Sequence, residues 1–274
     1  MREPRPLPVP PNRPVIENSK RNERSRFEGV EVWEPGPVDP VLNKGEIHLW
    51  RVGLNPDALR VRKLTDLLSQ EERKRADRFR FDPHRDHFIV ARGCLRILLG
   101  RYLRVEPSTV QFKYSSRGKP RVLPTGDDEP PRFNLSHSGD LALIGLAADR
   151  DIGVDLEHSG REVRDMKIAE RFFSAAEVNA LKRVDDDRKA EAFLNCWTRK
   201  EAFIKATGEG LSCPLDKFEV SLAPGEPAVV RYVDDELEVT RKWWMAAPNP
   251  GEDYVAAVAA PGEKVSLVLW DMDE

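Results

Sequence analysis

Two stretches of this chain carry charge where local structure alone would not ask for it. In DIGVDLEH, Asp151–His158, apolar Ile152, Val154 and Leu156 alternate with Asp155 and Glu157, so a strand here turns both carboxylates to one face. Carboxylates about 6–7 Å apart on one face repel unless something positive lies between them. A hard divalent cation meets that demand, since Mg²⁺ takes one or two carboxylates and leaves positions for water and phosphate oxygens. On a solvent-facing edge the same pair needs no ion. The second stretch is WTRKEAFIKATGEGL, Trp197–Leu211. Wound as a helix, Phe193, Cys196, Trp197, Phe203 and Ile204 form one apolar stripe; Lys200 projects from its middle and Glu201 lies at its margin. Ions beside an apolar face are retained when paired or when they hold a ligand. The plainer account pairs Glu201 with Lys205 four residues on and lets Lys200 snorkel to water.

Other residues suit an anion. The stretch FNLSHSGDLALIG, Phe133–Gly145, reads as a strand, a tight polar turn holding Ser136, His137, Ser138 and Gly139, and a second strand. Clustered hydroxyls, an imidazole and a permissive glycine can wrap a phosphate, and a hairpin tip is also polar for structural reasons. SSRGKP, Ser115–Pro120, is a turn that leaves Lys119 exposed. Arg73, Arg75, Arg78, Arg85 and Arg92 converge near one helix–helix connection, and guanidinium forks match phosphate oxygens.

These side chains need elements to position them. A strand is expected from near Glu46, a helix over Leu64–Arg80 opened by Thr65, and a longer helix over about Arg85–Leu103 whose arginines mostly decorate a solvated face. Short helices follow over Val163–Phe173 and Ala175–Arg183, with Ser174 and Glu177 forming a capping box between them. Asp185–Asp187 cap the long charged helix, and Gly208 ends it in a left-handed cap. Beyond it, five segments near Lys217–Leu222, Ala228–Tyr232, Leu237–Trp244, Asp253–Ala260 and Val265–Trp270 read as an antiparallel sheet.

At 274 residues and 40% hydrophobic content the chain can bury a substantial core. Its net charge of −3 gives no overall basic field for nucleic acid. Cys94, Cys196 and Cys213 lack CxxC spacing and read as reduced thiols of a cytoplasmic protein. The longest apolar run, Leu141–Ala148, is under half the ~20 residues of a spanning helix, so no membrane association is expected. Residues 1–44 form a proline-rich tail, expected to be extended or disordered; the first 41 residues hold nine of the chain's 22 prolines.

Jointly, RGKP at Arg117–Pro120, FNLSHSG at Phe133–Gly139, GVDLEH at Gly153–His158, RFFS at Arg171–Ser174 and WTRKEAFIKATGEGL resemble, in order and spacing, the signature of the Sfp-type 4′-phosphopantetheinyl transferases. The looser LSQEERKRADRFRF, Leu68–Phe81, extends the resemblance from about residue 46 to the end. It implies an α+β fold of two similar lobes related by a pseudo-twofold axis, residues 45–150 and 151–274, each with helices on a small, mostly antiparallel sheet. It implies a monomer, with coenzyme A between the lobes. The implied reaction is Mg²⁺-dependent transfer of phosphopantetheine from coenzyme A to a serine of an acyl or peptidyl carrier protein, with release of 3′,5′-ADP.

Carried across by motif, Asp155, Glu157 and Glu201 match the family's magnesium ligands. Lys200 and Lys205 match its motif lysines, Lys205 being placed for the pyrophosphate. Ser136, His137, Lys119, Arg75 and Arg85 fall among the coenzyme A contacts, and Asp155, Lys205 and Glu201 among the catalytic groups. Glu72 departs from the pattern, standing where some relatives place a lysine near the 3′-phosphate; Arg73, Arg75, Arg85 or His87 are left for that contact. A magnesium nuclease or phosphodiesterase, and a non-catalytic adaptor that binds carrier proteins, are the competing readings.

Overall fold

The computed structural model describes residues 32–126, 129–160, 166–210, 213–233, 242–262 and 265–272. Most of the proline-rich tail, the start of the helix expected at Val163, Leu211, and residues 237–241 of an expected strand lie outside the described residues. In chain order the elements are β1 (Glu34–Pro35), β2 (Glu46–Gly53), α1 (Ala58–Leu67), α2 (Gln70–Ala76), α3 (Asp82–Leu103), β3 (Phe112–Tyr114), β4 (Pro120–Val122), β5 (Arg132–Ser138), β6 (Leu141–Ala147) and β7 (Gly153–His158). There follow α4 (Met166–Phe172), α5 (Ala175–Lys182), α6 (Lys189–Thr207), β8 (Phe218–Val220), β9 (Val230–Val233), β10 (Trp243–Ala246), β11 (Tyr254–Pro261) and β12 (Ser266–Asp271).

The single helix expected over Leu64–Arg80 is two. Asp57 caps α1 through its carboxylate, and Ser69 with Glu72 makes a capping box that restarts the chain as α2. A start signal inside a periodic stretch breaks the helix there. Glu72 is then buried between Arg92 and Arg96. Arg96 is not surface decoration: it is 2% exposed and also donates to the carbonyls of Pro107 and Val110.

Both halves follow one plan. A strand leads through helices to an antiparallel hairpin whose second strand pairs with the first, giving β2-β6-β5 in one sheet and β7-β11-β10 in the other. The long helices α3 and α6 pack within separate apolar clusters, one built on Trp50, Leu95, Leu98 and Ile144, the other on Phe193, Phe203, Phe218 and Ala257. A third cluster joins the halves: Ile47, Leu49 and Leu143 from the first sheet meet Val154, Leu156 and Val258 from the second. Alternation along each strand lets one residue set face its own helix and the other the opposite sheet.

Two expectations about the second half are corrected. Segments near Lys217–Tyr232 form a separate two-stranded sheet, β8-β9. The last strand, β12, leaves that expected antiparallel sheet and crosses back to pair in parallel with β2. Among the described residues no helix is long and apolar enough to cross a membrane.

Candidate active site

The site begins with a close approach. A Cβ on Gly153 would overlap the Ala202 carbonyl oxygen and the Ala206 amide, so only glycine lets α6 settle this deeply against the start of β7. Small Ala257 and Ala259 on the adjoining strand face the same helix core. Trp197, Glu201 and Lys205, spaced by four, share one face of α6, and this approach brings them beside Asp155 and Glu157.

Asp155 is 4% exposed. Its Oδ1 accepts from Lys205 Nζ at 2.6 Å and from the Ser136 hydroxyl at 3.0 Å, while Oδ2 is buried without a hydrogen-bond partner. Lys205 Nζ also donates to Ser136 Oγ at 3.1 Å and to the Val154 carbonyl at 3.2 Å. The lysine therefore pairs with Asp155 rather than with Glu201, the partner that helical spacing alone suggests. Asp155, Glu157 and Glu201 line one cavity of ≈ 660 Å³ with Arg171, Phe172, Trp197, Leu215 and Asp216. Burial raises the Glu201 carboxyl above its ordinary pKa, and the charges of Asp155 and Glu157 push the same way while Lys205 opposes them.

Asp155, Glu157 and Glu201 offer hard oxygen donors there, and Asp155 Oδ2 is a buried acceptor without a partner, so these residues fit a divalent cation. Among the described residues no three acidic, histidine or cysteine side chains stand as a ready-made cage. Mg²⁺ does not require one, because it keeps water and binds substrate phosphates through the rest of its shell.

Ser136 and His137 sit within strand β5, not at a hairpin tip; the turn is Gly139–Asp140. Asn134, Ser136 and Ser138 consequently point to one side, where each reaches β7: Asn134 Oδ1 accepts from Val154 N at 2.8 Å, Ser136 donates to Asp155, and Ser138 Oγ donates to Glu157 Oε2 at 3.3 Å. Sequence reading missed Asn134 and took Ser138 for a hydroxyl of a polar turn, although the alternation of both with Ser136 was the available signal.

His137 faces the other way, into a pocket shared with Phe79, His84, His87, Asp140 and His158. Its ring is open to solvent on one side, yet the protein packed around it, then His87, Lys205, Arg75 and His84, hold its pKa below the usual imidazole value. Arg75 lines a separate cavity with Glu72, Arg78, Phe88 and Arg92, its guanidinium 5.3 Å from the Phe88 ring centroid.

Three expected ligand contacts are placed elsewhere. Lys200 is fully buried: Nζ meets Glu177 Oε2 at 2.8 Å and donates to the Leu215 and Phe218 carbonyls at 2.7 and 2.6 Å. One position before Glu201 is 100° around the helix, which turns Lys200 into the core instead of the cavity. Arg85 is held by Asp82 and Asp86 and lines neither cavity. Lys119 is not an exposed turn residue; its side chain is 10% exposed, donates to the Ala206 carbonyl at 2.9 Å near the end of α6, and has its pKa lowered mainly by burial. Of the residues left for a 3′-phosphate, Arg73 is spent on the Leu68 and Asp66 carbonyls, whereas His87 lies in the histidine pocket.

Comparison with known proteins gives the family. Residues 151–259 match the 4′-phosphopantetheinyl transferase superfamily, and residues 54–150 match the 4′-phosphopantetheinyl transferase N-terminal family. The chain is 40% identical to the 4′-phosphopantetheinyl transferase HetI of Nostoc sp. over 239 residues, 87% of this chain and 97% of that protein. It is 33% identical to the transferase Sfp of Bacillus subtilis over 76% of this chain and 91% of the relative. The Bacillus pumilus transferase psf-1 is 34% identical over 77% and 88%. With both halves matched and a relative aligned along nearly its whole length, the chain belongs to the 4′-phosphopantetheinyl transferase superfamily and is an enzyme that transfers the phosphopantetheine group.

Proposed function

We propose that the donor is coenzyme A, that the acceptor is a serine hydroxyl of an acyl or peptidyl carrier protein, and that the reaction depends on Mg²⁺. The observation that carries this reading is Asp155: one oxygen is held by Lys205 and Ser136, the other is buried without a partner, and Glu157 and Glu201 line the same cavity.

Asp155, Glu157 and Glu201 would hold the cation, which when bound neutralises charge gathering on the diphosphate oxygens. Lys205 adds a point charge toward the same oxygens, His137 holds a phosphate from the histidine pocket, and Arg75 offers a guanidinium from the neighbouring cavity. A serine hydroxyl is too weak an acid to ionise fully beforehand, so its proton leaves as the bond forms. Glu201, which lines the cavity, is placed to accept it. The new bond joins serine oxygen to the β-phosphorus; the bond from that phosphorus to the bridging oxygen breaks, and 3′,5′-ADP departs with the electron pair. Phe172, Trp197 and Leu215 give the cavity an apolar wall.

Incubation with apo carrier proteins, coenzyme A and Mg²⁺, read by intact mass, should add one phosphopantetheine to the serine of a carrier. No addition on any carrier overturns the reading. Glu201→Gln should still bind the carrier while transfer is lost; an unimpaired variant refutes the role given to Glu201.

A further inference from the structure

Strands β5 and β7 are edge strands of different sheets, and no backbone pairing joins them. They are tied by side chains instead. At alternate positions on one face of β5, Asn134 Oδ1 takes the Val154 amide, Ser136 Oγ donates to Asp155, and Ser138 Oγ donates to Glu157. Ser138 is 7% exposed and also accepts from the His158 amide at 3.0 Å, which fixes its oxygen and leaves its single proton for the carboxylate. Two successive rungs of this ladder thus end on the two acidic residues of β7 that line the cavity.

We propose that Ser138 is a positioning residue for the transfer reaction, holding the Glu157 carboxylate at a fixed spacing from Asp155 so that both can grip one divalent cation. The inference rests on reading Asp155, Glu157 and Glu201 as the cation-holding set. Its physical basis is that a hydroxyl whose own oxygen is fixed narrows the directions in which the carboxylate it donates to can present its oxygens. Hydrogen-bond partners of metal ligands orient those ligands and tune their affinity.

The test uses the full chain with coenzyme A and Mn²⁺ as the probe, without any carrier, so that nothing turns over. Free Mn²⁺ is followed by electron paramagnetic resonance. Ser138→Ala should weaken Mn²⁺ binding about tenfold, and Ser138→Thr, which keeps the hydroxyl, should restore it. In a Glu157→Ala background, Ser138→Ala should weaken binding no further, because the oxygen it donates to is gone. Should the alanine variant fold poorly, Ser138→Cys keeps the volume with a weaker donor and should give a smaller loss in the same direction. Wild-type affinity in Ser138→Ala and Ser138→Cys overturns the proposal, as does an equal loss with and without Glu157. If the wild-type protein binds no Mn²⁺ in the presence of coenzyme A, the cation reading itself falls, and the role of Ser138 with it.

Discussion

Lys205 Nζ and Asp155 Oδ1, fifty residues apart along the chain, stand 2.6 Å from one another, so the buried carboxylate carries its countercharge on a neighbouring helix. That ammonium is a preorganised charge beside the oxygens a diphosphate would present. Lys205→Met should lower kcat by about 10²–10³-fold, the usual cost of removing one such donor. Lys205→Arg should recover part of it, and steady-state kinetics on a carrier substrate measure both.

Gly153→Ala is expected to act at a distance. The added methyl must displace the Ala202 carbonyl, so α6 moves off β7 and carries Glu201 and Lys205 away from Asp155. Overpacking of this kind costs about 1–3 kcal/mol. Thermal unfolding should register that loss, and transfer should fall further than the folded fraction does.

The Lys200–Glu177 pair separates stability from chemistry. Lys200→Met strands a buried carboxylate and should destabilise the protein by about 3–5 kcal/mol in urea denaturation. Lys200→Met with Glu177→Gln removes both charges and should recover much of that. Glutamine retains one carbonyl for the Val220 or Ser174 amide that Glu177 now serves.

Acid stability should depend on Glu72. Burial alone would raise its pKa, but Arg92 and Arg96 together with the Ser69 amide hold it below the ordinary carboxylate value. A carboxyl depressed in the folded state contributes stability that is present above the unfolded pKa and is lost as pH falls through the folded one. Unfolding free energy should therefore drop below pH 4.5 in the wild type, with a shallower slope in Glu72→Gln.

Coenzyme A binding should tighten as pH falls from about 8 to 6. His137 has its pKa lowered first by burial and then by positive neighbours, so it is mostly neutral when the pocket holds no anion. A bound phosphate favours the protonated ring, and binding takes up a proton. Isothermal titration in buffers of different ionisation enthalpy should detect this uptake, and His137→Gln should abolish it.

Much of the site was legible before any tertiary contact was known. Alternation in GVDLEH turns Asp155 and Glu157 to one face, and four-residue spacing puts Trp197, Glu201 and Lys205 on another. Ser174 with Glu177 marked a helix start that the structure contains. These are consequences of backbone periodicity, which the residues carry locally. Tertiary structure alone decided which partner each face meets. It sent Lys200 to Glu177 and Lys205 to Asp155, although both lysines belong to one motif, because neighbouring helical positions diverge by about 100° and only packing says what lies in each direction. It also returned β12 to the first sheet and joined β5 to β7 through Asn134, Ser136 and Ser138. Strand partners are chosen by contacts between distant segments, and no local pattern of residues encodes them.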